Sequence, residues 1–413
     1  MHPWRRTLYI IFAAQVLTLI GFSCVFPFFP LYIQTLGVTG PAVVLWSGVI
    51  TFGGSLTLAL ASPVWGALAD RYGRKPMLMR AMGGGATITA LLILAPNVWV
   101  VLVLRVLQGL VTGTVAPARA LVASISPREH LGYSMGLMEA SVFLGSAAGP
   151  LVGGVLNDHL GFHGTFAVGA GLLLSGAVLV GLRVEEPPLG RAAAGPVRHP
   201  LAEIGSIAAV PGLAVLASVL FMANFGSGAP SPVLPLLVPE LSGVPVVNGE
   251  PQTATMVGVI LAVAGFGATV AAWRAGRLTT RFGYRRTLFA ALVFAGLFSI
   301  PAAMAGAVWQ LLAVRTGMGI CLGVALPAVS ALVSLTTPPA RQGAAYGFLA
   351  SAELSGFAVG PLVGGVVGAT AGLRAVFLVT AVVLFAVAAV VGMRVREPAP
   401  GAPAAVAVEG AGG

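Results

Sequence analysis

Apolar residues fill this chain in long runs that are separated by short polar loops. A run of about 20 apolar residues is long enough to cross a bilayer as a helix. The pattern therefore predicts an all-α membrane protein with twelve membrane-spanning helices, at roughly 8–32, 43–68, 76–95, 98–123, 132–157, 163–183, 207–237, 254–275, 286–306, 308–335, 343–368 and 373–393.

The same landmarks occur twice along the chain. The tract Gly-Pro-Leu-Val-Gly-Gly lies at Gly149–Gly154 and again at Gly360–Gly365. Trp46-Ser-Gly-Val-Ile recurs, at nearly the same offset, as Met256-Val-Gly-Val-Ile. When a module of six spans is repeated, both copies enter the membrane with the same orientation. The repeat therefore predicts two six-helix bundles related by a pseudo-two-fold axis along the membrane normal, with a site between them.

The predicted division of the chain follows from this repeat and from the loops. We expect an N-terminal bundle, a cytoplasmic linker rich in proline and arginine, a C-terminal bundle and a disordered tail rich in glycine, alanine and proline. Their predicted bounds are 1–184, 185–203, 204–396 and 397–413.

Composition and charge support a membrane protein. The chain is 57% hydrophobic and 8% charged, whereas soluble domains carry about 25% charged residues. The net charge of +10 does not imply nucleic acid, because the arginines of the predicted loops lie on one side of the membrane and only Arg374 lies on the other. By the positive-inside rule, both termini and the linker are predicted to be cytoplasmic. Cys24 and Cys321 fall inside spans, so neither a disulfide nor a metal site is expected.

A loop between spans two and three combines glycines and charges in a fixed order. This order resembles the loop signature of the major facilitator superfamily, which implies a gate that latches the two halves on the cytoplasmic side. Glycines permit a tight reversal, and an acid can meet a helix N-terminus or an arginine. The second copy has Thr280 where the first has the acid, which predicts an asymmetric latch. A loop that only sets topology is the alternative. The motif residues are Gly66, Asp70, Arg71, Gly73, Arg74 and Lys75.

Span four carries Arg105 and Gln108 in an arrangement similar to the Arg-x-x-Gln-Gly motif of drug–proton antiporters. An arginine inside a span is tolerated only where it faces protein or a water-filled cavity. The resemblance implies a cavity arginine that biases the protonation of a nearby carboxylate. Structural pairing or snorkelling is the alternative. Arg315 is its repeat partner, and Arg119 is expected at the membrane interface.

Span five contains a tract of small residues that resembles the antiporter signature of the superfamily. Small residues let a neighbouring helix backbone approach, and a proline removes one helix hydrogen bond and permits a bend. Because the tract recurs in span eleven, we favour a role in the rocking of one half against the other over ordinary packing. The residues are Gly145, Gly149, Pro150, Gly153 and Gly154.

Only two acids fall inside the predicted spans, Glu139 in span five and Glu353 in span eleven. Loss of hydration favours the neutral form of a carboxyl group, and a nearby cation favours the charged form, so such a group can load and release a proton. We expect Glu353 to be the main proton carrier, Glu139 the second candidate, and Arg105 the cation that tunes one of them. An acid neutralised by an arginine for structure alone is the alternative.

The remaining candidates are less specific. The residues expected to line a substrate cavity are Arg105, Gln108, Asn224, Arg315 and Phe357. On the outer loop between spans five and six, Asp158, His159 and His163 lack the spacing of metal ligands, and we interpret them as a solvated turn.

Together with Pro27–Gly37 and Trp46–Ile50, these motifs resemble the MdtG-type multidrug efflux proteins of the major facilitator superfamily from about Phe22 to Val391. The resemblance implies a monomeric, proton-driven antiporter of the bacterial inner membrane that exports amphiphilic drugs and needs no cofactor. Apolar and aromatic residues outnumber polar ones in the spans, which favours loosely specified ligands. Export or facilitated diffusion of a metabolite, such as a sugar or lysophospholipid, is the alternative. No phosphate-binding loop or enzyme constellation is seen, so an ATP-driven pump or an enzyme is not expected.

Overall fold

A computed structural model describes residues 3–186, 212–247, 249–336 and 342–395. Most of the predicted linker and the whole predicted tail lie outside these residues. The described residues form fourteen α-helices and a two-stranded antiparallel hairpin. The helices are α1 (Pro3–Ser23), α2 (Phe29–Thr35), α3 (Pro41–Tyr72), α4 (Arg74–Leu91), α5 (Val98–Val111), α6 (Val115–Ile125), α7 (Leu131–Arg183), α8 (Leu213–Gly228), α9 (Leu234–Leu237), α10 (Thr253–Phe282), α11 (Tyr284–Met304), α12 (Val308–Thr336), α13 (Gln342–Ala371) and α14 (Ala375–Arg394), and the strands are β1 (Val246–Val247) and β2 (Glu250–Pro251).

The twelve predicted spans are confirmed among the described residues. Ten helical stretches are long and apolar enough to cross a membrane. One of them, α7, supplies two crossings, because the chain reverses at Gly161 with a φ of 66°. The shorter apolar helix α8 begins the remaining crossing, which α9 continues after a break.

Besides span seven, two spans that the sequence predicted as continuous are interrupted. Span one is broken between α1 and α2, where a 3-10 turn at Phe26–Phe28 contains Pro27 and α2 has Pro30 in its first turn. Span four is broken between α5 and α6, where Gly113 adopts a φ of 110°. A proline lacks the amide hydrogen and a positive φ leaves the helical region, so each interrupts the hydrogen-bond ladder.

The helices form two six-span bundles. In the N-terminal half α7 packs along α1 and α4, and in the C-terminal half α13 packs along α8 while α10 packs along α12. The halves meet at two seams. We call them the α7–α10 seam and the α3–α13 seam.

The two ends of the molecule differ in packing. The basic end carries the arginines of the α3–α4 and α10–α11 turns, and the opposite end carries the β hairpin and the Gly161 turn. At the opposite end one hydrophobic cluster runs through both halves and includes Phe29, Val44 and Val257. Towards the basic end the core divides into two separate clusters, one in each half. The halves are therefore closed together at the opposite end.

Candidate functional site

The α7–α10 seam is a close backbone crossing built by the antiporter tract. The carbonyl of Pro150 lies against Gly258, and Gly154 lies against the backbone of Ala254. A Cβ atom added at either glycine would overlap main-chain atoms of the other half. Only glycine permits this approach, so the tract brings the two halves together where they cross.

The α3–α13 seam repeats the same crossing with the roles of the halves exchanged. The carbonyl of Pro361 lies against Gly48, and Gly365 lies against Val44. Gly48 and Gly258 are the glycines of the repeated Trp46–Ile50 and Met256–Ile260 segments. The two sequence repeats thus form two equivalent contacts across the interface.

The other glycines of the antiporter tract serve the N-terminal half itself. Gly145, Gly149 and Gly153 follow one face of α7 and pack against Leu19, Ser23 and Cys24. The tract therefore has one glycine face against its own half and a second face, Pro150 and Gly154, across the seam.

Towards the basic end the described parts of the seam helices are apart. Gly66, Gly132, Gly136, Gly276 and Gly347 have no heavy atom within 4 Å of the place that a Cβ would occupy. The side chains of Glu139 and Glu353 are exposed there. A cavity that is open at the basic end therefore lies between the halves.

Ionisable groups from both halves face this cavity. The Arg119 guanidinium in α6 pairs with the Glu139 carboxylate in α7 at 2.5 Å. Glu353 in α13 belongs to the other half and lies within electrostatic range of both. The Glu353 carboxylate itself has no hydrogen bond or ion pair with the described residues. Among the described residues, the cavity thus brings together the two acids Glu139 and Glu353 and the cation Arg119.

Phe357 lies on the cavity side of α13. Residues four apart share a helix face, and Pro361, on the same face as Glu353 and Phe357, contacts the N-terminal half. Phe357 is 50% exposed, which leaves its ring available to a ligand. On α7, Phe143 occupies the corresponding stripe between Glu139 and Pro150 and is also exposed.

Arg105 and Gln108 do not line the cavity in this structure, contrary to the expectation. The Arg105 guanidinium lies 4.0 Å from the ring centre of Phe26 and donates a hydrogen bond of 2.6 Å to Gln108 Oε1. Gln108 in turn donates to Thr89 Oγ1 at 3.0 Å. Arg105 lies on the buried stripe of α5 and not on a face that lines the cavity.

The cation that accompanies an acid is therefore Arg119 rather than Arg105. Arg119 pairs with Glu139 of the adjoining helix, and its position at the membrane interface stays a prediction. The two remaining cavity candidates make local contacts: Asn224 donates to the Leu220 carbonyl, and Arg315 contacts Met318 Sδ at 3.6 Å.

The loop signature at the basic end is held mainly within its own half. The Glu186 carboxylate accepts hydrogen bonds from the backbone amides of Arg74, at 2.6 Å, and Lys75, at 3.2 Å. The Lys75 ammonium donates to the Gly181 carbonyl. These contacts fix the start of α4. The other motif residues Gly66, Asp70 and Arg71 lie in the last turns of α3, and Gly73 separates α3 from α4.

Asp158 is not part of a solvated turn, and that interpretation was wrong. Its carboxylate accepts hydrogen bonds from the amides of Ala254, at 3.2 Å, and Thr255, at 2.7 Å. These amides belong to the first turn of α10 in the other half. No sequence pattern indicates this contact, because the partners are backbone groups almost a hundred residues away.

The α3–α13 seam ends differently at the same face of the molecule. A cleft of about 570 Å³ lies there between the halves, and Gln34, Pro41, Glu240 and Arg374 are among the residues that line it.

Comparison with known proteins agrees with the two bundles and the repeated seams. The model of the Major Facilitator Superfamily matches residues 11–250 and 216–411. The chain belongs to this superfamily. It is 37% identical over 397 residues to the multidrug resistance protein MdtG of Enterobacter lignolyticus, covering 95% of this chain and 93% of that protein. It is 38% identical over 386 residues to MdtG of Escherichia fergusonii, covering 92% and 93%.

Solved structures of the superfamily share the fold. A bacterial homologue of the human lysosomal transporter Spinster superposes with a TM-score of 0.79 at 16% identity and covers 95% of this chain and 97% of its own. The nucleoside transporter NupG superposes with a TM-score of 0.76 at 12% identity and covers 94% and 100%. The chain is thus a multi-pass membrane protein with the architecture of a secondary transporter.

Proposed function

We propose that this protein exports amphiphilic drugs or other toxic small molecules in exchange for protons, by alternating access. The MdtG relatives are named multidrug resistance proteins, and their similarity extends over nearly the whole chain. Exposed rings of Phe143 and Phe357 on the cavity stripes suit apolar ligands without a fixed hydrogen-bond pattern.

The observation that carries the proton-coupling proposal is the group of two acids and one cation in the cavity. Arg119 balances Glu139 within the N-terminal half, while Glu353 approaches from the C-terminal half. When the basic end closes, two carboxylates share one guanidinium in a drier space. Like charges disfavour two ionised carboxylates, so the closed state favours a bound proton. When the basic end opens, water reaches Glu353 and the proton leaves.

The direction of exchange follows if the basic end faces the cytoplasm, as the positive-inside rule predicts. A proton taken up from outside is then released inside, while drug moves outwards. This orientation places both termini in the cytoplasm of a bacterium and the protein in its inner membrane. We propose a monomer that acts as a transporter and not as an enzyme. The loop signature, through Asp70, would close the basic end in the alternate state.

The test is drug movement in proteoliposomes that carry an imposed pH gradient, with the wild type and Glu353→Gln. We expect gradient-driven drug movement in the wild type and only the signal of empty liposomes in Glu353→Gln, which mimics the protonated acid but still binds drug. Glu129→Gln, which removes an exposed acid of the α6–α7 turn, is the matched control and should transport normally.

Three results would contradict parts of this proposal. Full gradient-driven export by Glu353→Gln would exclude Glu353 as the proton carrier. Drug movement that ignores the gradient in the wild type would indicate a facilitator. Movement of a sugar or a lysophospholipid, but of no drug, would indicate a metabolite exporter.

A further inference from the structure

We propose that Asp158 is a positioning residue of the transport cycle, which holds the opposite end of the α7–α10 seam closed while the basic end is open. This inference rests on the proposed alternating-access function. Asp158 belongs to the N-terminal half, and both groups that it contacts belong to the C-terminal half. The contact therefore exists only while the two halves are together at this end.

The geometry is that of a helix N-cap supplied by another helix. The first amides of a helix have no partner within it, and a side-chain oxygen usually accepts from the second or third of them. In α10 the residue at the N-cap position, Gln252, provides no such bond. The two Asp158 oxygens accept from the second and third amides instead, at 3.2 and 2.7 Å. The negative charge also lies at the positive end of the helix dipole.

The position of Asp158 on α7 links this contact to the crossing. Asp158 is one helical turn beyond Gly154, which lies against the backbone of Ala254. Gly154 permits the close approach of α10, and the Asp158 carboxylate accepts hydrogen bonds from the first turn of the same helix. Rocking the halves apart at the opposite end must break both hydrogen bonds, so these bonds favour the state that is open at the basic end.

Among the described residues, the second seam has no side-chain hydrogen bond of this kind. The residue that corresponds to Asp158 in the repeat is Ala369, and the adjoining end of this seam is the cleft that contains Glu240 and Arg374. The α7–α10 seam is therefore the one that holds the opposite end shut with a side chain, and the α3–α13 seam relies on close packing alone among the described residues.

The experiment measures spin-label distances across both ends of the reconstituted protein in a Cys321→Ser background. Labels at positions 94 and 304 report the opposite end, and labels at 182 and 393 report the basic end. The residues replaced there, Leu94, Met304, Leu182 and Met393, are 74–77% exposed and lie at matching positions of the two repeats. Cys24 is fully buried and needs no replacement.

We expect Asp158→Ala to lower the ratio of closed to open molecules at the opposite end by roughly 2- to 30-fold, the usual range for loss of a helix cap. Asp158→Asn keeps one acceptor oxygen but loses the charge and one bond, so its shift should be smaller. Glu250→Gln removes an exposed acid from the same end without touching the seam and is the matched control.

The KM for drug transport is a second measurement, and it would not change if Asp158 only stabilised the folded protein. If fewer molecules are open at the basic end, the KM for drug presented at that end rises, because apparent affinity falls with the competent fraction. Mere loss of folded protein would lower the maximal rate and leave KM unchanged.

Each outcome decides one of the two proposals. Distances in Asp158→Ala that match those of Glu250→Gln would overturn the role of Asp158, even if the wild type transports drug. A graded shift from the wild type through Asp158→Asn to Asp158→Ala would support it. That shift, together with a wild type that moves no drug, would leave the gate intact and remove the proposed function.

Discussion

The α7–α10 and α3–α13 seams are built from the same repeated tract, yet they differ at both of their ends. Each seam places a prolyl carbonyl against a glycine and a second glycine against the partner backbone. At the basic end, the first seam has the Arg119–Glu139 pair and the second has Glu353, which is not a repeat equivalent of Glu139. At the opposite end, Asp158 bonds across the first seam, and a cleft lies beside the second.

This comparison shows that the glycine crossings are alike in the two seams, whereas the residues at the ends of the seams differ. Two halves that rock about one axis need two similar points of close contact. We call the two glycine crossings, at Gly154 with Gly258 and at Gly48 with Gly365, the pivots, because glycine permits close backbone contact at both. Coupling needs groups whose environment changes between two states, and one set of such groups suffices. The glycines of the pivots are therefore repeated in both halves, whereas the residues towards either end of the seams, such as Glu139 and Asp158, are not.

The largest effect should come from filling the pivots. At Gly154 an added Cβ would overlap the backbone of Ala254, and at Gly365 it would lie 2.9 Å from the Val44 carbonyl. Overpacking costs about 1–3 kcal/mol, so the ratio of closed to open molecules at the opposite end should fall by roughly 5- to 150-fold in Gly154→Ala and by less in Gly365→Ala. Spin-label distances between positions 94 and 304 measure this ratio.

Gly171→Ala is the control for these variants, because no heavy atom lies within 4 Å of the place of its Cβ. Equal and small shifts in all three variants would show that the crossings are looser than the structure places them, and the two seams would then lose their common pivot.

A smaller effect should come from the ion pair that only the first seam has. At the repeat-equivalent positions the other half carries Val329 and Ala350. The side chains of Arg119 and Glu139 are 42% and 48% exposed, so a double-mutant cycle of Arg119→Gln and Glu139→Gln should give a coupling of about 0.2–1 kcal/mol in the free energy of unfolding.

The same cycle with Arg374→Gln in place of Arg119→Gln is the control. Arg374 lies at the opposite end, where it donates to the Ala303 carbonyl. Distant residues should be additive within about 0.3–0.5 kcal/mol. An equally large coupling in the control would show that the Arg119–Glu139 contact is not what the cycle detects.

The smallest effect should come from copying Asp158 into the second seam. Helix α3 begins at Pro41, two residues before the position that matches the start of α10 at Thr253. The amides of Val44 and Leu45 therefore already bond within α3. Ala369→Asp has no free amide to accept from, and we expect the opposite-end distance distribution to change by no more than about twofold in population. A clear gain in closed molecules would show that the residue alone, and not the helix start, makes the gate.

The sequence predicted the repeated parts of this arrangement better than the unique ones. The spans follow from the lengths of the apolar runs, and the pivots from a tract that occurs twice. The break at Gly113 was missed, because a broken helix and a continuous one can have the same run of apolar residues.

The side-chain partners were harder to predict. The polar stripe of α5 that holds Arg105 could be identified from the sequence. Tertiary packing decides whether this stripe faces the cavity or the bundle interior, and here it packs against Phe26 and Thr89. The partners of Asp158 are main-chain amides, which have no sequence signature, and their availability depends on the residue at which α10 begins.

The reversal at Gly161 has a consequence for biosynthesis. A single non-helical residue joins the two crossings of α7, so no loop is available for them to insert one after the other. We therefore expect them to insert together as a helical hairpin, in which the apolar surface of both arms accompanies the Asp158 carboxylate across the bilayer. Asp158 lies only three residues before Gly161, so the tip of the hairpin carries its charge. Pairing the arms lets the nascent chain deliver this charge to the far surface before the half that it will bond has been synthesised.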